Sequence, residues 1–373
     1  MDSGRSGWRL VSVGDERAED MSELFEKVFA QTMSPELWRW KYAGGRGMAV
    51  GALSPQGVLL AHYGGTRRDL QLGKSVYKAV QIGDVMVAAE GRSALSGKGP
   101  FGLVTEAFLD KHIKDATDTA FGFGFPSPRH MRLGQRLGHY QEVERIYELT
   151  WVLRDTTSDA LSHRAADTEP EPESRFRAVE LGWNEPETKA WLDRLGAGMH
   201  EQMVNVVMPV RSASWWHHRF ADHPEKSYVC VGLPGKAVGE ILAAFVLREP
   251  QRAVSTSARS PLGGGQIDAV DSHWELMDWM ASPSQTAVVV EAALAFVQSR
   301  GGKSVGAWLS ETVTQHLQLN RAVQLHVVCS AAVTVAGRWA NIVATTSQAD
   351  PLASGGRIPP PSWWLTGGDT DFR

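Results

Sequence analysis

The sequence predicts a mixed α/β protein made of two successive lobes, and three observations lead there. The chain is 373 residues long, more than one ordinary core accommodates. Segments with helical apolar spacing interleave with segments of alternating apolar residues. A polar, acidic stretch with two prolines, DTTSDALSHRAADTEPEPESR at 155–175, separates two halves that open in the same way.

In the first lobe, 1–154, helical spacing predicts helices over 20–30 and 35–42. Alternation then predicts a hairpin of strands 48–53 and 58–66, turning at Pro55-Gln56-Gly57. A strand over 78–87 leads through a glycine-rich loop into a helix over 101–114. A strand at 119–124, a helix at 127–137 and a strand at 140–152 complete the lobe.

Beyond the linker, sliding the sequence by 178 positions lays Ser34, Trp38, Lys41, Tyr42, Ala43 and Gly57 on Ser212, Trp216, Arg219, Phe220, Ala221 and Gly235 without a gap. A short aromatic helix followed by a hairpin recurs at the same offset, which points to an internal repeat. The second lobe, 176–350, continues with a strand at 238–248, a Ser/Gly/Pro/Arg loop, a strand at 274–280 and a helix at 284–299. A strand at 304–309, a helix at 311–319 and strands at 324–335 and 339–345 follow. The tail, 351–373, is rich in Pro and Gly and reads as an extended segment lying over a surface.

A composition of 43% hydrophobic and 21% charged residues is that of a globular protein. The net charge of −4, with no run of Lys and Arg, excludes nucleic acid as the main partner. Two cysteines, Cys230 and Cys329, lie in apolar runs without spaced Cys or His companions, so no metal site is expected and both read as buried thiols in a reducing compartment. The polar amino terminus and the lack of a run of about 18 apolar residues predict a soluble, cytoplasmic protein without membrane attachment. Fourteen tryptophans, including the pairs Trp215-Trp216 and Trp363-Trp364, read chiefly as core.

The passage 81–112 is the most informative about function. A strand enters a loop with Arg92, Gly97, Lys98, Gly99 and Gly102 and leaves as an amphipathic helix. Glycines let backbone N–H groups converge, the helix start adds its dipole, and Arg92 and Lys98 add charge, which together suit a phosphate. A dinucleotide site is disfavoured, because this strand is the fourth of its lobe and no acidic residue is suitably placed after it. Asp84 stands in an otherwise apolar strand, IGDVMV, where a buried carboxylate needs a purpose or a partner.

These residues resemble the GCN5-related N-acetyltransferase (GNAT) family, in particular its tandem bacterial acyltransferases. The family's Val-x-Pro-x-x-Arg ending of the fourth strand is matched at Val87 and Arg92 but has Ala89 for proline, and the glycines after the arginine are delayed to 97 and 99. Phe123-Gly124-Phe125-Pro126-Ser127 is similar to the start of the next landmark, a strand splayed to admit pantetheine. Leu137-Gly138-His139-Tyr140 is similar to the family's Leu-Gly-aromatic helix ending. The resemblance covers 20–152.

It implies two tandem GNAT-like lobes, each a twisted mixed sheet flanked by helices. It also implies an acetyl-CoA or other acyl-CoA donor, held by Met86, Val87, Arg92, Gly97, Lys98, Gly99, Gly102 and Phe125. The acyl group would pass by direct attack in a ternary complex to an amine of a small metabolite or amino sugar, with no metal. Asp84 is the expected proton acceptor, and Glu106 an outward-facing, weaker candidate. The family tyrosine that protonates the thiolate would stand four residues before the glycine, where this chain has Gly134, so His130 or Tyr140 would replace it. His62 and Tyr63 would orient substrate or share proton transfer, the plainer reading being one inward and one outward strand residue. The second lobe, with Met280-Ala281-Ser282-Pro283-Ser284 in place of a phosphate loop, is expected to bind no coenzyme and to shape the acceptor pocket. An acyl-carrier-protein donor and a non-catalytic acyl-CoA sensor or scaffold are the alternatives.

Overall fold

The computed structural model describes residues 7–94, 99–153, 177–250, 272–317, 323–346 and 361–370. The expected linker and the loop before 272 therefore lie outside the described residues.

The first half opens with β1 (Arg9–Ser12), α1 (Ala18–Phe29) and α2 (Pro35–Tyr42). α2 starts where it does because the Ser34 hydroxyl accepts the Leu37 N–H at 3.1 Å and Pro35 takes the first helical position. An antiparallel meander follows, β2 (Gly47–Leu53), β3 (Leu59–Leu72) and β4 (Ser75–Val87). Then come α3 (Pro100–Leu109), which runs into a π-helical turn, β5 (Phe121–Gly124) parallel to β4, α4 (Pro128–Arg136) and β6 (Tyr140–Val152).

The second half comprises β7 (Val179–Leu181), α5 (Pro186–Gln202), β8 (Val206–Pro209), α6 (Ala213–Trp216), β9 (Tyr228–Pro234), β10 (Ile241–Arg248), β11 (His273–Met280), α7 (Thr286–Ser299), β12 (Ser304–Ser310), α8 (Glu311–Thr314), β13 (Val323–Thr334), α9 (Trp339–Thr346) and β14 (Ser362–Trp363). Ser212 caps α6 as Ser34 caps α2, accepting the Trp215 N–H at 3.2 Å.

The halves form one mixed sheet in the order β1-β2-β3-β4-β5-β13-β6-β12-β11-β10-β9-β7. They exchange their closing strands, since β13 lies between β5 and β6, and β12 pairs with residues 146–152 of β6. Helices cover both faces. α1 and α2 pack Met21, Leu24 and Trp38 on one side, while α3 packs Val104 and Phe108 on the other. His62 and Tyr63, read as one inward and one outward residue, are consequently both buried. No helix among the described residues is long and apolar enough to cross a membrane.

The far carboxyl-terminal part departs from expectation. The stretch 339–345, read as a strand, is the helix α9, because Trp339, Ile342 and Val343 fall at helical spacing and turn toward Phe121 and Trp363. The helix read over 311–319 is the single turn α8. The tail, read as a surface segment, is core from Trp363 to Thr370, with Trp363, Trp364, Leu365 and Asp369 each at 0% exposure.

What draws the tail in is a gap in the second half. β11 and β12 pair in parallel only from His273↔Ser304 to Glu275↔Gly306 and then diverge. The tail fills the divergence: the Ser310 N–H donates to the Leu365 carbonyl at 3.0 Å, and Thr366 bridges to Leu309. Gly368 passes so close to β11 that a Cβ there would stand 3.0 Å from the Asp278 Cβ. Asp369 anchors the plug, accepting from Arg211 Nη2 at 2.9 Å and Arg68 Nη2 at 3.2 Å. Arg211 Nε also pairs with Asp278 at 2.9 Å, so two cations meet two carboxylates in a buried, neutral cluster. Burial raises the Asp278 pKa, and the neighbouring Asp369 raises it further against the pull of Arg211.

Candidate active site

A bulge in β4 builds the site. Opposite β3, His62 pairs with Met86 and Gly64 with Gly83, so Asp84 and Val85 together face Tyr63 alone. Asp84 takes up the extra residue with φ of 49°, a left-handed conformation that aspartate tolerates better than most. Its side chain is held from α2, Oδ2 lying 2.6 Å from Lys41 Nζ and accepting the Tyr42 hydroxyl at 2.6 Å. Its carbonyl accepts His62 Nδ1–H at 2.7 Å. The ring therefore carries its proton on Nδ1, and the buried Nε2 has no hydrogen-bond partner among the described residues. Gly64 makes this convergence possible, because a Cβ there would stand 2.6 Å from the His62 ring and 2.8 Å from the Tyr42 hydroxyl.

The electrostatics follow from that packing. Burial by itself would raise the Asp84 pKa, but Lys41 and Tyr42 outweigh it and hold the carboxyl below its usual range. Burial lowers the His62 pKa, so the ring is neutral. Asp84, the expected proton acceptor, thus has its carboxylate committed to a lysine and a tyrosine that the sequence did not single out for chemistry.

Past the bulge the sheet opens. β5 pairs with β4 only as far as Ile82↔Gly124, while β4 runs on to Val87 and β13 continues on the far side. The slot so formed holds a cavity of about 340 Å³, bounded by Asp84 and Val85, by Gly124 to Ser127, by His130 and Tyr140, and by residues of β12 and β13. A second cavity of about 650 Å³ shares Phe29, Val85, Phe101, Ser127 and His130 with the first, and carries Arg129, Arg132 and Arg136 of α4 on its wall. Their spacing of three and four residues puts these arginines on one exposed helix face.

Tyr140 enters the slot by way of Gly134. A Cβ at Gly134 would lie 2.0 Å from Tyr140 Cδ2, so the aromatic ring occupies the space above that helix position. The Tyr140 and Tyr63 hydroxyls hydrogen-bond to one another. Burial pushes the Tyr140 pKa up to about 12, and burial and Tyr140 together push Tyr63 well above the ordinary phenol value.

Of the other expected site residues, His130 lies on the exposed side of α4 and lines both cavities, its ring parallel to Phe101 at 6.4 Å. Phe125 lines the first cavity and Val87 the second, while Met86 is buried against α1 and α2. Gly99 stands at the start of α3 and Gly102 is buried within it. Gly97, Lys98 and the side chain of Arg92 lie outside the described residues. Glu106 is exposed and lines neither cavity.

Residues 10–138 match the family model described as an acetyltransferase (GNAT) domain. A sequence search of curated proteins returns no match. Among solved structures, the probable N-acyltransferase of Enterococcus faecalis V583 superposes with a TM-score of 0.61 at 14% identity, over 90% of this chain and 74% of that one. A GCN5-related N-acetyltransferase of Kribbella flavida gives 0.57 at 16% identity, over 87% and 70%. Saccharomyces cerevisiae N-myristoyltransferase with bound myristoyl-CoA gives 0.53 at 11%, over 88% and 83%. At such identities the likeness is one of fold, and the sequence match is confined to residues 10–138. Residues 10–138 are thus similar in sequence to the acetyltransferase (GNAT) domain, and the chain shares the fold of GCN5-related N-acetyltransferases.

Proposed function

We propose that the protein transfers an acyl group from a coenzyme A thioester, bound in the first half only, to the amine of a small metabolite or amino sugar. The observation that carries this reading is the seating of Tyr140 over Gly134, which presents a phenol to the slot from the helix position where the family acid is expected. The pantetheine arm would lie along β4 beyond the end of β5, with the backbone N–H groups near Met86 and Val87 close to the thioester carbonyl. Arg129, Arg132 and Arg136, with Arg92 and the loop 97–102, would take the phosphates. The bound myristoyl-CoA of the yeast neighbour is in keeping with a donor of this class.

In the step itself, the amine nitrogen attacks the thioester carbon, a C–N bond forms and the C–S bond breaks. The departing thiolate takes the proton of Tyr140, which is refilled from solvent, and the amine releases its proton to water. In this reading Asp84 is a positioning residue. A carboxylate stabilised as the anion by a lysine at 2.6 Å is a weak base, and its main effect is to hold the bulge. The second half binds no coenzyme, because the tail occupies the divergence between β11 and β12 where a pantetheine arm would lie. A carrier-protein donor is the second reading, supported by the exposure of the three α4 arginines beside the slot.

Tyr140→Phe tests the proposal. Thiol release from acetyl-CoA with a panel of amines should fall about 10²-fold in kcat with KM for the coenzyme little changed. Full turnover by this variant would remove Tyr140 from the chemistry.

A further inference from the structure

Resting on the acyl-CoA reading of the slot, we infer that the acyl group is an aliphatic chain longer than acetyl, housed in an apolar chamber that β12 and β13 wall off at the slot's inner end. Adjacent strands stand about 4.8 Å apart, so the early end of β5 leaves roughly 10 Å between β4 and β13. The open cavity of about 340 Å³ takes the arm and the acyl group together, and it reaches from Val85 and Ser127 to Trp308 of β12 and Val328 of β13.

The walls are hydrocarbon in character. Ile82, Trp308, Val328, Cys329, Ala332 and Val333 line the chamber, and the acidic residue on the cavity wall is Asp84, already paired with Lys41. An ammonium acceptor would find no uncommitted carboxylate on that wall, whereas an alkyl chain loses nothing by burial there. Trp308 gives Nε1–H to Glu148 Oε1 at 3.1 Å, so its polar edge is satisfied. The ladder between β13 and β6 skips Val328, a bulge that places this residue at the chamber wall. The transfer keeps the balance already given, one C–S bond broken and one C–N bond formed.

The test uses the full chain with acetyl-, butanoyl-, octanoyl- and dodecanoyl-CoA, read by titration calorimetry and by thiol release with amines. Affinity should rise by up to about fourfold per added methylene and reach a plateau where the chamber ends. Ala332→Leu should lower the octanoyl-to-acetyl affinity ratio at least tenfold, and Trp308→Ala should move the plateau toward dodecanoyl. Acetyl-CoA binding as tightly as octanoyl-CoA overturns the inference and leaves the acyltransferase reading standing. A ratio unmoved in both folded variants also overturns it. Failure of every coenzyme A ester to bind overturns the coenzyme reading and the chamber with it.

Discussion

Tyr140 and Gly134 form a pair in which the small residue makes room for the large one, and each is testable alone. Gly134→Ala should displace the ring and lower turnover with the phenol still present, so the drop should resemble that of Tyr140→Phe. A phenol near pKa 12 stays protonated through pH 10, and the Asp84 carboxyl titrates below its usual range. Between pH 6 and 10, kcat/KM should therefore follow the acceptor amine, rising as the amine loses its proton; a falling alkaline limb below pH 10 would point to another acid. Removing the Asp84 charge alone with Asp84→Asn takes away the carboxylate 2.6 Å from the buried Lys41 ammonium, a loss of about 3–5 kcal/mol. Asp84→Asn with Lys41→Met should recover most of that stability by urea titration. Because the folded Asp84 pKa is depressed, the pair stabilises fully above about pH 4 and loses that contribution as pH falls through the folded value. The double variant should lack this acid limb. Activity regained together with stability assigns Asp84 to positioning, and stability regained without activity returns it to proton transfer.

Among elements, α4 presents two different faces. Met131 and Gly134 pack inward, while Arg129, Arg132 and Arg136 line the outer cavity. Arg132→Gln should raise KM for acyl-CoA several-fold, with a penalty that shrinks in high salt, and leave kcat within about twofold; an unchanged KM would place the phosphates elsewhere. The helical period of α1 to α4 and the alternation of β2 to β6 were legible because they are local properties of the chain. The β4 bulge was not, because it exists only relative to the register of β3. The segment at Trp339 was misread for a related reason: a short apolar run has no distinct period, and its form depends on the aromatic residues it meets.

For the molecule as a whole, the exchange of β6 and β13 and the buried tail make the halves interdependent. Gln81 Nε2–H donates to the Asp369 carbonyl at 2.7 Å, so the plug of the second half also grips the strand that carries the bulge of the first. Asp369→Ala would leave Arg211 and Arg68 short of a carboxylate, and should cost about 3–5 kcal/mol with both halves melting in one transition; two separate transitions would contradict interdependence. Calorimetry should find one acyl-CoA per chain, and a stoichiometry of two would mean that the tail does not block the second slot. The order from α1 to β6, the serines that cap α2 and α6 and the strand-to-glycine-loop passage were readable from the chain, since each depends on neighbours within a few residues. The pairing of Lys41 with Asp84, the insertion of β13 beside β5, the cavity it lines and the burial of Asp369 were not. Those contacts join residues distant in sequence, and their free energy comes from burying charge and apolar surface together, which no local pattern records.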